Sequence, residues 1–260
     1  VWKAPTIEIN ENAVLDGEGL GFPVGLGPGY YDAGVGSAHG GFSDRDTDSI
    51  YGNASAPTSL GSGSSNGIGG SAIKLDASSV VIDGTINMDG RNTVGFGYKS
   101  SGGSIWIESP MITGTGIMSA DGGSSTNNDA GGGGRIRLGY SSSMSFSGTI
   151  SVSAGEPGSS GSEPSHGTLT FTGNTWPGNL NLTGNMGLLG GDFGDGDVVN
   201  IQGYFDTNGY NVSIYGDCFG NSGSFKESVC YNTTLDGRGV WINASEDIII
   251  DEDSYIDGWG

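Results

Sequence analysis

Residues able to do chemistry are few in type and widely spaced. In the run DRDTDS, Asp44, Asp46 and Asp48 stand at alternate positions, the spacing with which loops gather carboxylates around calcium. The run has neither the central glycine nor the distal glutamate of a complete EF-hand loop. GGDFGDGD at 190–197 echoes the glycine/aspartate calcium turn of parallel β-rolls but occurs once, and Asp251 with Asp253 is a third acidic candidate. Calcium is the only candidate cofactor, with solvated acidic turns the commoner fate of such runs. Cys218 and Cys230 lie 12 residues apart (230 − 218) in a Gly/Asn/Ser-rich stretch and suit a loop-closing disulfide. Such a bridge contributes roughly 2–3 kcal/mol and places the chain in an oxidising, extracellular setting. Two thiols without neighbouring histidines make a poor zinc site.

Catalytic patterns are weaker still. A glycosidase needs two carboxylates facing one cleft, but a chain with 29 acidic residues contains such pairs by number alone. A polysaccharide lyase needs a base beside its acidic ligands, and the chain has only 9 Lys and Arg. Arg135 and Arg137 lie on one face of a strand, where a solvent-facing ladder paired with neighbouring acids is the plainer reading. His39 and His166 sit in Gly/Ser loops, with no G-x-S-x-G turn and no motif coupling His, Asp and Ser. Thr168-x-Thr170 is isolated, so the Thr rows of an ice-binding face are missing. No enzymatic activity is expected.

The elements that must carry these residues read as strands. Apolar-x-apolar starts recur at Ile73, Ile105, Ile136, Leu169 and Val199, separated by 32, 31, 33 and 30 residues. Most are followed by a polar turn and a second alternating strand, such as Val80-Val81-Ile82, and several by a third, such as Thr85-Ile86-Asn87-Met88. No segment sustains a helical period. Asp-Gly or Asn-Gly closes strands at 16–17, 83–84, 89–90, 121–122, 208–209, 236–237 and 257–258, where the chain needs positive φ without a Cβ clash. Three strands and three corners per lap predict an all-β fold, a right-handed parallel β-helix or solenoid with glycine-rich loops. Inward Ile, Leu and Val would stack in columns, with laps about 4.8 Å apart. Glycine supplies 53 of 260 residues without a G-x-y register, which excludes collagen. The 34% hydrophobic content fits a thin core lined by every second residue.

A longer repeat runs end to end. Ile248–Gly260 (IIIDEDSYIDGWG) rewrites Ile7–Gly19 (IEINENAVLDGEG) at a constant offset of 241 (248 − 7). A Val-Trp pair precedes both copies, two residues out of step, which makes Trp2, Ile7, Ile9, Trp241, Ile248 and Ile250 candidate junction residues. The chain then reads as one unit of a tandem array: a junction strand over 1–19, a glycine-rich loop region over 20–68, main rungs over 69–215, a disulfide-bearing loop over 216–238 and the start of the next repeat over 239–260. The tryptophans at the junctions suit packing between units better than sugar contact.

The formal charge of −20 disfavours nucleic acid, which needs clustered Lys and Arg. No apolar run is long enough to span a membrane, and no basic-then-apolar leader opens the chain. Sequons at Asn53, Asn181, Asn211, Asn232 and Asn243 are candidate glycosylation sites.

Taken in order, YGNASAPTSLGSG at 51–63, VIDGTINMDG at 81–90, GGSIWIES at 102–109, GTGIMSADGG at 114–123, AGGGGRIRLGY at 130–140 and FSGTISVSAG at 146–155 resemble the glycine-rich β-helical modules of very large secreted and cell-surface proteins. The resemblance covers about 36–173 and rests on the ordered set; the acidic segment after Thr172 departs from it. It implies structural, adhesive or filament roles with no catalytic residues to carry over. The expected function is rigid spacing and surface display in an extracellular fibre, surface filament or adhesin, with adjacent copies of the module as partners. The alternative is a carbohydrate-binding or carbohydrate-cleaving β-helix of the tailspike receptor type, with surface glycans as partner.

Overall fold

A computed structural model of the chain describes residues 1–31, 36–43, 50–91, 97, 99–146, 148–161 and 164–170. From 171 onward it describes only the backbone of the strands. In chain order these are β1 (Trp2–Ile9), β2 (Val14–Asp16), β3 (Ala72–Ile82), β4 (Thr85–Asn87), β5 (Ser104–Glu108), β6 (Met111–Gly114), β7 (Ile117–Ser119), β8 (Arg135–Gly139), β9 (Ser143–Phe146) and β10 (Thr149–Ser151). They continue with β11 (Thr168–Thr172), β12 (Leu180–Leu182), β13 (Asn185–Leu189), β14 (Phe205–Asp206), β15 (Val212–Gly216) and β16 (Tyr231–Leu235).

Two sheets hold these strands. The larger has ten, in the order β16-β15-β13-β11-β8-β5-β3-β6-β9, with β1 also paired to β3; the smaller has six, in the order β14-β12-β10-β7-β4-β2. Pairing is parallel except between β15 and β16. The strand starts read from the alternation stand opposite one another: Ile73 faces Ile105, Ile105 faces Ile136, and Ile136 faces Leu169. Leu75, Ile107 and Leu138 form the next inward column, all fully buried. From the smaller sheet, Ile86, Met118 and Ile150 close the same core.

The expected right-handed parallel β-helix is corrected by this arrangement. The larger sheet is a curled half-barrel of mostly parallel strands, not a three-sided coil. One reason lies in β3. Its polar Ser78-Ser79 reads as a turn, yet pairing runs through it, from Ala4 opposite Ala77 to Thr6 opposite Ser79. Burial alternates with Leu75 and Ala77 inward, then slips by one to Val80 and Ile82. Two successive outward serines bend the strand without ending it, so β3 pairs with β5 through its first half and β6 through its second. Pro5 stands at the slip on the edge strand β1, where a missing N–H is tolerated. A second reason is that the glycine-rich side of each lap carries no strand. Beyond β11 the spacing changes as well: Leu169 pairs with Met186, 17 residues on (186 − 169), in place of the 30-residue step expected to Val199.

Candidate functional site

The glycine-rich segments, expected as corners or as loops over a face, instead form a packed wall beside the sheets. Extended segments lie side by side and bond through their main chains. Phe22 N donates to Gly61 O at 3.0 Å, Gly70 N to Ser101 O at 3.1 Å and Gly102 N to Gly132 O at 3.1 Å. Gly132 N donates to Ser37 O at 3.0 Å and Gly40 N to Gly133 O at 3.0 Å. A strand in a sheet has two neighbours. The segment around Ser100–Gly103 bonds to more, reaching Met88, Ser62, Gly123 and Gly132. That density is open only to residues with little or no side chain, for the same steric reason that glycine fills the axis of the collagen triple helix. A Cβ on Gly102 would collide with the carbonyl of Ala120 and the amide of Gly134, and one on Gly132 with the carbonyl of Gly41. The backbone groups are thereby paired away from water.

Inside this wall lies the densest group of chemically capable side chains. His39 is fully buried, its Nδ1 2.8 Å from Gly102 O and its ring centroid 4.7 Å from that of Tyr51. Its Nε2 has no hydrogen-bond partner among the described residues. Burial lowers the His39 pKa to about 4, which keeps the ring neutral at physiological pH. The Tyr51 hydroxyl donates to Leu60 O at 2.5 Å and accepts from Ser62 Oγ at 2.9 Å; burial pushes it up to about 12. Arg135 Nη2 donates to Tyr51 O at 2.9 Å and Nη1 to Thr168 Oγ1 at 2.8 Å. Histidine, tyrosine, serine and arginine are thus together, but in an enclosed place where their polar atoms bind the segment at 50–62 onto the wall.

Where β4 and β7 lead into the wall, the two carboxylates of Asp89 and Asp121 stand one above the other. Asp121 N donates to Asp89 Oδ1 at 2.6 Å, and Ser153 N donates to Asp121 Oδ1 at 2.7 Å, each step spanning 32 residues. The Ser151 hydroxyl also donates to Asp121 Oδ1. Burial, followed by the charge of Asp121, raises Asp89 to about 7, and burial raises Asp121. Across the outer face of the larger sheet, Lys74, Trp106 and Arg137 stand opposite one another on β3, β5 and β8. Lys74 Nζ lies 3.2 Å from the Trp106 ring centroid and Arg137 Cζ 5.4 Å from it. Trp106 Nε1 donates to Glu108 Oε1 at 2.6 Å, and Arg137 pairs with Glu108 at 3.1 Å. The indole is flanked by cations, and its face is taken.

The sequence-derived sites divide sharply. Trp2, Ile7 and Ile9 lie on β1, with Ile7 and Ile9 buried and Trp2 exposed. Asn53 is exposed, its Oδ1 accepting from Ser55 N at 2.8 Å. Asn181 lies on β12 and Asn232 on β16. Asp44, Asp46, Asp48, Asn211, Cys218, Cys230, Trp241, Asn243, Ile248 and Ile250 lie outside the described residues. Among the described residues no three His, Cys, Asp or Glu are grouped to hold a metal ion. The Arg135/Arg137 reading needs correction: both alternate outward as expected, but the 50–62 segment covers them, Arg135 reaching Tyr51 O and Arg137 reaching Ser55 O. The Arg137–Glu108 pair matches the ladder that was expected. His39 and the Asp89/Asp121 column were read as loop and turn formers; the recurrence of Asp-Gly at the lap spacing was the signal that could have exposed the column.

One shallow depression of about 610 Å³ opens between Lys3, Pro5, Asp76, Ser78 and Pro110, with Lys3 and Asp76 paired at 2.9 Å. It has no aromatic platform. No helix among the described residues is long and apolar enough to cross a membrane. No family model, curated protein or solved structure matches this chain.

Proposed function

We propose that this chain is a mechanical module, giving rigid spacing and display in an extracellular or cell-surface assembly built from copies of itself. The observation that carries this reading is the glycine wall. Main-chain hydrogen bonds tie segments far apart in the chain, Phe22 to Gly61, Gly70 to Ser101 and Gly40 to Gly133, so pulling on any one of them loads several others. Among the described residues, Tyr51, Ser62 and Arg135 commit polar atoms to internal bonds, which favours a scaffold over an enzyme. The −20 charge keeps such an object soluble, and Cys218 and Cys230, as a candidate disulfide, fit an oxidising compartment.

Stretching the full chain between its ends in an optical trap tests this. One cooperative rupture at high force is the expected trace. Gradual extension at low force would overturn the reading, and so would saturable, stoichiometric oligosaccharide binding in calorimetry, which would move the assignment to a carbohydrate receptor.

A further inference from the structure

We propose that the open edge formed by β1 and β2 is a docking surface for a second copy of this chain, which lays its segment Ile248–Gly260 along that edge as one further parallel layer. The inference rests on the module reading above and names the contact that would join modules.

Among the described residues β1 pairs only with β3 and β2 only with β4, so both sheets stop at the same layer. An edge strand of this kind presents unused backbone donors and acceptors and is a template for another strand. The side chains stop there too. Trp2 stands opposite Leu75, whose column continues through Ile107 and Leu138 at 0% exposure, yet Trp2 is 51% exposed. Among the described residues no further strand covers the end of this column. Nearby, Leu20 is 66% exposed beside the Gly17–Gly19 turn.

The occupant follows from the sequence of the edge itself. Ile248–Gly260 carries the same strand–turn–strand pattern as Ile7–Gly19, placing Ile248, Ile250 and Ile256 in register with Ile7, Ile9 and Leu15. The column headed by Leu15 runs through Ile86, Met118 and Ile150 and is apolar throughout. An isoleucine fits at its head. Asp257-Gly258 matches Asp16-Gly17, where a Cβ on Gly17 would meet Ser71 and Met88. The contact joins two different surfaces, edge on one copy and segment on the other, so it propagates into open-ended chains. It also sets Asp257 against Asp16 and Glu252 against Glu11. Repulsion between these exposed acids is screened by salt, so assembly strengthens as ionic strength rises.

Sedimentation velocity of the full chain over a range of concentrations, at low and high ionic strength, provides the test. Growth into a ladder of oligomers, larger at high salt, is expected. Trp2→Lys with Leu20→Lys places charge on exposed positions of the edge and leaves the interior intact. It should raise the concentration needed for assembly about tenfold or more. Ile248→Asp with Ile250→Asp should do the same from the other side. Mixed together, the two variants retain one working edge and one working segment between them and should stop at dimers. A free peptide of sequence 248–260, added in excess to the unaltered chain, should cap growth without any risk to folding. A monomer at every concentration, a closed dimer from the unaltered chain, or growth indifferent to the variants and the peptide would each overturn the inference. A chain that ruptures at high force but never assembles would overturn this contact alone and leave the mechanical reading standing.

Discussion

On one side of the molecule the layers are held by side chains; on the other they are held by the main chain. The strand side buries Leu75, Ile107, Leu138 and their neighbours in aliphatic columns, where each layer rests on interlocking methyl groups. The glycine side places carbonyls and amides of five or more distant segments within bonding distance. The first kind of packing tolerates exchange between apolar residues of similar volume. The second tolerates nothing larger than hydrogen at its tightest positions. Two solutions to the same problem, packing one segment of chain against another, therefore differ in how they fail.

The largest expected effect comes from adding one carbon to the wall. Gly102→Ala or Gly134→Ala would force carbonyls of neighbouring segments apart, since both Cβ positions fall inside backbone atoms that cannot rotate away. We expect loss of the folded state at ambient temperature, more than the ~1–3 kcal/mol of ordinary overpacking, measured by thermal or urea denaturation. Gly25→Ala is the control: its nearest neighbours are Tyr30 ring atoms at 3.9 Å and beyond, and only its φ of +73° opposes a side chain. That costs about 1–2 kcal/mol. Equal damage from both substitutions would erase the proposed difference between a crowded position and a merely twisted one.

On the strand side, Ile107→Ala should cost about 2–5 kcal/mol, as a buried isoleucine truncated within a packed column, with the fold retained. A loss as complete as that from Gly102→Ala would show that the two sides fail alike.

Acid and alkali should separate the regions further. The His39 pKa is depressed to about 4 from 6.5, so its contribution is present above about 6.5 and lost as pH falls toward 4. Asp89 is raised to about 7 from 3.8, so its contribution is present below about 3.8 and lost as pH rises through 7. Asp89→Asn should therefore flatten the alkaline limb of a stability–pH curve and leave the acid limb, where His39 acts, in place. An unchanged alkaline limb in Asp89→Asn would remove the carboxylate column from the account. The smallest effect belongs to the outer face: Lys74→Ala should cost about 0.5–1 kcal/mol through the lost contact with Trp106, near the limit of denaturation measurements.

The strand side was legible in the sequence because period-two alternation reports burial directly. The matches of Ile73 with Ile105, Ile136 and Leu169 follow from spacing alone. The curl was not legible, because Ser78-Ser79 has the composition of a turn and only the pairing with β1 shows that the strand continues through it. The glycine wall was hidden for a different reason. Glycine leaves no side chain to reveal a period, so Gly131–Gly134 and Gly155–Gly167 resemble any flexible linker. His39 was obscured in the same way, since its role depends on Gly102, 63 residues away, whose carbonyl its ring nitrogen approaches. The likeness of Ile248–Gly260 to Ile7–Gly19, identical at 6 of 13 positions, is a statement of sequence alone, and the first of the two segments lies on β1 and β2.

A wall of bare peptide has one more property. Thiols, thioethers and indoles oxidise and side-chain amides hydrolyse, so a surface built from them weathers with time. Glycine and serine offer oxidants almost nothing to attack, and the amide N–H groups tied to neighbouring carbonyls exchange and hydrolyse slowly. The run from Gly131 to Gly134, which has no side chains at all, should be among the last parts of the molecule to age.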